Sequence, residues 1–220
     1  MKQVKILLTL AALAGVSVNA TTVSFTGTNP GAATVTGNDT HTVARGYVYN
    51  SAAVSPSPNW TQVQVGQDSG GVGVESGNGG NSAYEVEGTW KEYITFDFSA
   101  TLTGSVRVDS IVLIFPNTPT GPTYFTYEWI SALPSGSSPS VPGTFTSVTS
   151  GIATGSNTYS SIAGQGRYLI LGAVNGSQST TNMFSVTSIN YTSVPDGAST
   201  LALMGAAFAT LGFVARRRRA

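Results

Sequence analysis

His41 is the single histidine of this 220-residue chain, and there is no cysteine. Thiolate nucleophiles, thiolate metal sites and disulfides are therefore excluded together. A Ser-His-Asp triad would have to use His41, which sits in the polar run Asn38-Asp39-Thr40-His41-Thr42. No Gly-x-Ser-x-Gly elbow accompanies it, so His41 reads as a solvated loop residue. Glycoside hydrolysis needs two carboxylates roughly 5–10 Å apart across a sugar. Glu85 and Glu87 lie two residues apart in Tyr84-Glu85-Val86-Glu87-Gly88, with Glu92 soon after. Two acids at that spacing share one face of a strand, which is more simply a solvated edge. No catalytic constellation emerges, and the chain is expected not to be an enzyme.

Binding chemistry has more to offer. Calcium takes oxygen ligands from carboxylates, amide side chains and backbone carbonyls. Asp68, Glu75, Asn78, Asn81, Glu85 and Glu87 fall in one Gly-rich stretch, which makes calcium the candidate cofactor. No Asp-x-Asp-x-Asp-Gly run supports it, and a Gly/Asn linker beside an acidic strand explains the same residues. Trp60, Trp90, Tyr124, Tyr127 and Trp129 could stack on sugars. Strand alternation puts Phe125, Tyr127 and Trp129 on one face, with Tyr124 opposite. Aromatic residues at such spacing more often fill a core. Trp60, Tyr127 and Trp129 remain the carbohydrate candidates. Asn-x-Ser/Thr triplets at Asn38, Asn59, Asn175 and Asn190 read as chance in a composition this rich in those residues.

The elements that would position these groups are strands. Charged residues make up 9% of the chain, against 26 glycines, and Ser, Thr and Asn are abundant. Such a composition favours strands joined by polar turns. Period-two runs appear at 43–50, 61–65, 92–98, 106–115, 123–130, 167–174 and 184–191. No sustained 3.6-residue apolar stripe interrupts them. The spacing predicts an all-β domain over residues 21–193, a two-sheet antiparallel β-sandwich of jelly-roll type. Segments 55–59, 117–122 and 134–143 read as loops. This stretch holds four basic against nine acidic residues, a net −5, so it lacks the cationic surface that nucleic acid requires.

The two ends differ from this pattern. Lys2 and Lys5 precede an apolar run at 6–18 and the small-residue site Val18-Asn19-Ala20. That is the pattern of a secretory signal peptide over residues 1–20, with cleavage after Ala20. At the other end, Val194-Pro195-Asp196-Gly197 precedes 18 uncharged residues, 198–215, and then Arg216, Arg217, Arg218 and Arg219. As a helix the apolar run is ~27 Å long, close to the ~30 Å hydrocarbon core. The arginines would stop its transfer and stay cytoplasmic.

This tripartite tail over 194–220 resembles the C-terminal sorting domain of bacterial PEP-CTERM-type proteins, in its Val-Pro-Asp variant. The resemblance implies recognition of Val194, Pro195, Asp196 and Gly197 by an exosortase, a membrane-embedded protease. It implies transient anchoring in the inner membrane, then release to the cell surface or an exopolysaccharide-rich extracellular matrix. Ala198 stands where the variant usually has glycine. A second, more diffuse likeness spans roughly residues 71–190. It is carried by Gly-Val-Gly-Val-Glu at 71–75, Asn78, Glu-Tyr-Ile-Thr-Phe-Asp-Phe at 92–98, Val-Asp-Ser-Ile-Val-Leu at 108–113 and Met-Phe-Ser-Val-Thr-Ser-Ile at 183–189. It resembles sandwich domains common among such proteins and speaks to architecture alone. The expectation is a non-enzymatic structural or adhesive surface protein. The alternative is a carbohydrate-binding module that uses calcium.

Overall fold

The computed structural model describes residues 20–50, 59–75, 86–87, 92–101, 105–115, 123–136, 146–150, 155–160, 162–173, 183–194 and Gly205. Fourteen strands account for most of them. In chain order they are β1 (Ala20–Ser24), β2 (Asn29–Ala32), β3 (Val35–Thr36), β4 (Val43–Asn50), β5 (Asn59–Asp68), β6 (Gly71–Glu75) and β7 (Val86–Glu87). There follow β8 (Glu92–Asp97), β9 (Val106–Phe115), β10 (Thr123–Ile130), β11 (Thr146–Ser150), β12 (Gly155–Ser160), β13 (Tyr168–Ala173) and β14 (Met183–Ser193). The protein is thus nearly all-β among its described residues. Every strand pairing is antiparallel.

The strands form one curled sheet in the order β11-β10-β13-β8-β4-β5-β6-β14-β9-β12. β1 and β7 pair with β14, β2 with β5, and β3 with β4. β5 joins the two halves of the curl. Its residues 59–63 pair with β4, while 64–68 pair with β6. The halves meet through aromatic rings. Phe96 of β8 lies 5.2 Å from Phe25, Phe98 lies 5.2 Å from Tyr191 of β14, and Phe125 of β10 lies 6.2 Å from Phe184 of β14.

Alternation explains most of the burial. In β9, Val106, Val108, Ile111, Leu113 and Phe115 are buried while Arg107 is exposed. The phase shifts between Val108 and Ile111, where Asn190 pairs with Ser110 but Tyr191 with Val108, so that Asp109 is the extra residue. β14 has register shifts between Val186 and Ser188 and between Asn190 and Tyr191. A bulge adds one residue and flips the phase of those that follow. So Val186 and Ile189, three apart, both reach the core. Gly71, at φ +132°, passes so close to β14 that a Cβ there would lie 2.6 Å from the Val186 carbonyl oxygen. Only glycine permits that approach.

The strands expected at 43–50, 106–115 and 123–130 have those bounds, and those at 61–65, 92–98, 167–174 and 184–191 differ by a few residues. Short polar strands β2, β11 and β12 lie where no apolar alternation marks them. Asn59, read as loop, opens β5. Ala20 opens β1 opposite Thr192, so cleavage after Ala20 would leave four of the five β1 residues in place. At the other end, the Val194 amide donates to the Ser105 carbonyl at 3.0 Å. Pro195, Asp196, Gly197 and the four arginines lie outside the described residues. Gly205, the one described residue beyond Val194, is helical. Among the described residues, no helix is long and apolar enough to cross a membrane.

Candidate functional site

The half-sheet β5-β4-β8-β13-β10 has two faces. One turns Ala44, Ile94, Phe96, Leu169, Leu171, Phe125 and Tyr127 into the main core. The other would ordinarily be solvated, yet β8 is buried at all six positions and β13 at its last five. The registers place three rows of side chains across this second face. The first is Tyr47, Tyr93, Gly172 and Thr126. The second is Arg45, Thr95, Ile170 and Glu128, and the third is Val43, Asp97, Tyr168 and Ile130.

Aromatic packing covers part of it. Trp60, only 5% exposed, has its ring centre 4.9 Å from Tyr93, 5.1 Å from Tyr49 and 6.4 Å from Tyr47. These rings, with Ile130 and Ile170, make a second apolar cluster. Gly172 gives Tyr93 its room, since a Cβ there would lie 2.4 Å from the ring. Burial pushes the phenols of Tyr93 and Tyr47 above their usual range; for Tyr47 the nearby Arg45 partly opposes the shift.

A strap crosses from this face's β10 edge to β5. Residues 131–136 leave the end of β10, and the Gly136 carbonyl accepts from the Trp60 amide at 2.6 Å on β5. In a flat sheet Ile130 and Trp60 would stand roughly 28 Å apart, four strands over and three rows along. Six residues reach about 20 Å. The right-handed twist of the sheet draws these opposite corners together. The strap thus ties two corners of the second face together, with Pro134 buried and Ser135 and Gly136 exposed.

On this second face the polar groups are incompletely paired. Among the described residues, Arg45 Nε, Thr95 Oγ1 and Glu128 Oε2 are buried without a hydrogen-bond partner. All three stand in the middle row. Arg45 also holds Asp97 through Nη2 at 3.5 Å. Burial raises the Glu128 carboxyl above the usual glutamate range. Between Glu128, the end of β10 and the strap opens a recess of about 390 Å³, lined also by Trp129, Ile130, Ser131, Leu133 and Ser135.

The carbohydrate candidates separate between the two faces. Trp60 belongs to the second apolar cluster. Tyr127, 5% exposed, points into the core, where its hydroxyl accepts from the Ala163 amide at 3.0 Å. Trp129 is half-buried. It packs 6.3 Å from Phe98, donates from Nε1 to the Ala163 carbonyl at 3.0 Å, and lies over Gly164 and Gly166. Of the three, Trp129 alone borders the recess.

The calcium candidates are described only in part. Asp68 ends β5, and its Oδ1 accepts from the Gly70 amide at 2.7 Å, closing the turn to β6. Glu75 ends β6 opposite Gln64, and Glu87 lies in β7 opposite Met183. Asn78, Asn81, Glu85 and Trp90 lie outside the described residues. Among those described, no three acidic, histidine or cysteine side chains gather as a metal site. Glu92 is fully buried in β8. His41 is exposed, and its amide donates to Asp39.

Arg45, Thr95 and Glu128 were not singled out by the sequence. Glu128 had a signal: it is the one charge in the strand Thr-Tyr-Phe-Thr-Tyr-Glu-Trp-Ile, on the face away from Phe125, Tyr127 and Trp129. That this face would be partly covered depends on the Trp60 cluster, which only the fold assembles. Comparison with protein-family models, curated protein sequences and solved structures finds no match to this chain.

Proposed function

We propose that this chain is an exported, non-enzymatic surface protein, a two-sheet β-sandwich of jelly-roll type released through its C-terminal tail. The observation that carries the reading is where the fold stops. β14 ends at Ser193, and the Val-Pro-Asp-Gly motif begins at the next residue. Folded domain and sorting signal thus abut without a linker. Ring contacts of Phe98, just past β8, and of Phe125 of β10 with β14 support two layers over one core. The signal peptide delivers the chain outward, the tail helix holds it in the inner membrane, and an exosortase-type protease frees it for the cell surface or an exopolysaccharide matrix. Mass spectrometry of the mature protein tests this. The expected product ends near the Val-Pro-Asp-Gly motif and lacks the apolar run and Arg216, Arg217, Arg218 and Arg219; a surface form still ending in Ala220 rejects it.

A second reading, a carbohydrate-binding module, is favoured by one observation. Trp129 borders an open recess, and its ring, packed on the edge of the core beside Phe98, is only half-buried where Tyr127 is buried. Glycan-array binding that falls on Trp129→Ala, with the fold retained, supports that reading.

A further inference from the structure

The recess beside β10 has walls of two kinds. Ile130, Ala132 and Leu133 supply apolar surface, while Glu128, Ser131 and Ser135 supply a carboxyl and two hydroxyls. Its volume of about 390 Å³ falls within the ~300–1,000 Å³ range of small-molecule sites. The lining discriminates among ligand chemistries. An anion would meet a carboxyl group and no lysine, arginine or histidine on these walls. A divalent cation wants several hard oxygen ligands, and Glu128 is the one acid here. A wholly apolar guest would displace water from the exposed Ser131 and Ser135 on these walls and return no hydrogen bond, which is costly.

A neutral polyhydroxylated ring satisfies the whole lining. Its hydroxyls donate to Glu128 and exchange hydrogen bonds with Ser131 and Ser135. Its C–H surface rests on Ile130 and Leu133. We propose that the recess between Glu128 and the strap binds a neutral sugar ring, with Glu128 as the hydrogen-bonding anchor. This inference rests on the carbohydrate-binding reading and moves its centre from the tryptophans to Glu128.

Isothermal titration of the purified full chain with neutral glucan, galactan, mannan and xylan oligosaccharides tests the site. Oligogalacturonate and putrescine serve as charged comparators. At least one neutral oligosaccharide is expected to bind. Glu128→Ala should weaken that binding about tenfold or more, the loss of one anchoring hydrogen bond. Ser135→Trp, at an exposed position, should fill the recess and abolish binding while thermal unfolding stays unchanged. Should Glu128→Ala fail to fold, Ser135→Trp decides alone. If no neutral oligosaccharide binds the wild type, the site and the module reading fall together. If one binds and the variants match the wild type, the module stands and this recess is not its site. Tighter binding of oligogalacturonate or putrescine overturns the neutral assignment.

Discussion

Asp39 gathers four hydrogen bonds in the turn between β3 and β4. Its carboxylate accepts from the His41 and Thr42 amides at 3.1 and 3.0 Å, from Thr42 Oγ1 at 2.7 Å, and from the Tyr191 hydroxyl at 2.9 Å. Burial alone would raise its pKa, but these donors outweigh it and hold the carboxyl below the usual aspartate range. The bonds pin the turn, including Thr40 at φ 63°, to β14. Because the folded value is lowered, the stabilisation is present above the ordinary aspartate pKa of about 3.9. It is lost as pH falls through the lower folded value. Asp39→Asn should therefore cost about 2 kcal/mol at pH 7 and progressively less towards pH 2, as read by urea unfolding. Tyr191 shows the converse. Burial and then the Asp39 bond push its phenol up to about 12. Its contribution holds below the ordinary value near 10 and fades as pH rises through about 12.

Glu128 behaves oppositely to Asp39. Its raised carboxyl binds a proton more readily in the folded state, so acidification relieves it. Its cost appears as pH rises through the glutamate range and persists at neutrality. Glu128→Gln should gain a few tenths of a kcal/mol at pH 7, a figure kept small because the side chain is only half-buried. The gain should vanish near pH 4 in the same unfolding assay.

At the scale of elements, β8 and β13 are buried on both faces; the Trp60 cluster covers part of the second one, and residues 131–136 tie the end of β10 to β5. Gly172→Ala would drive a methyl group into the Tyr93 ring. It should destabilise by about 1–3 kcal/mol, measured by chemical denaturation. Trp60→Ala should cost about 3–5 kcal/mol through the lost packing on Tyr47, Tyr49 and Tyr93, read by the same denaturation.

The same elements separate what the sequence reveals from what it hides. β4, β9 and β10 carry their apolar residues at period two and were legible with their bounds. β2, β11 and β12 are mostly Asn, Gly, Thr and Ser with a single larger residue at most, and their pairing is supplied by neighbours, so no local pattern announces them. The second buried face was hidden for another reason. Tyr47, Tyr93 and Thr95 alternate with core-facing residues, and only the fold brings Trp60 of β5 against Tyr47 and Tyr93. The aromatic candidates were legible as a set, but the sequence could not say that Trp60 and Trp129 serve opposite faces.

At the scale of the molecule, β5 is the hinge of the curl, one strand pairing in turn with each half. Substituting Val65, fully buried where the pairing changes over, by Asp should unfold both halves together. A single cooperative transition by circular dichroism and tryptophan fluorescence would show that. The tail belongs to this scale also. A reporter joined after Ala220 should remain on the cytoplasmic side of the inner membrane. Replacing Arg216, Arg217, Arg218 and Arg219 by Ser should lower retention there, as scored by protease protection.

The pairing of β1 with β14 sets Ala20 opposite Thr192, so both ways out of the domain open at one pole. A force drawn between these two exits meets the ladder end-on. It parts Ala20 from Thr192, then Thr21 from Tyr191, in succession, where chains leaving from opposite poles would load every rung at once. The domain should therefore yield to tension between its own ends at low force, peeling like a zip.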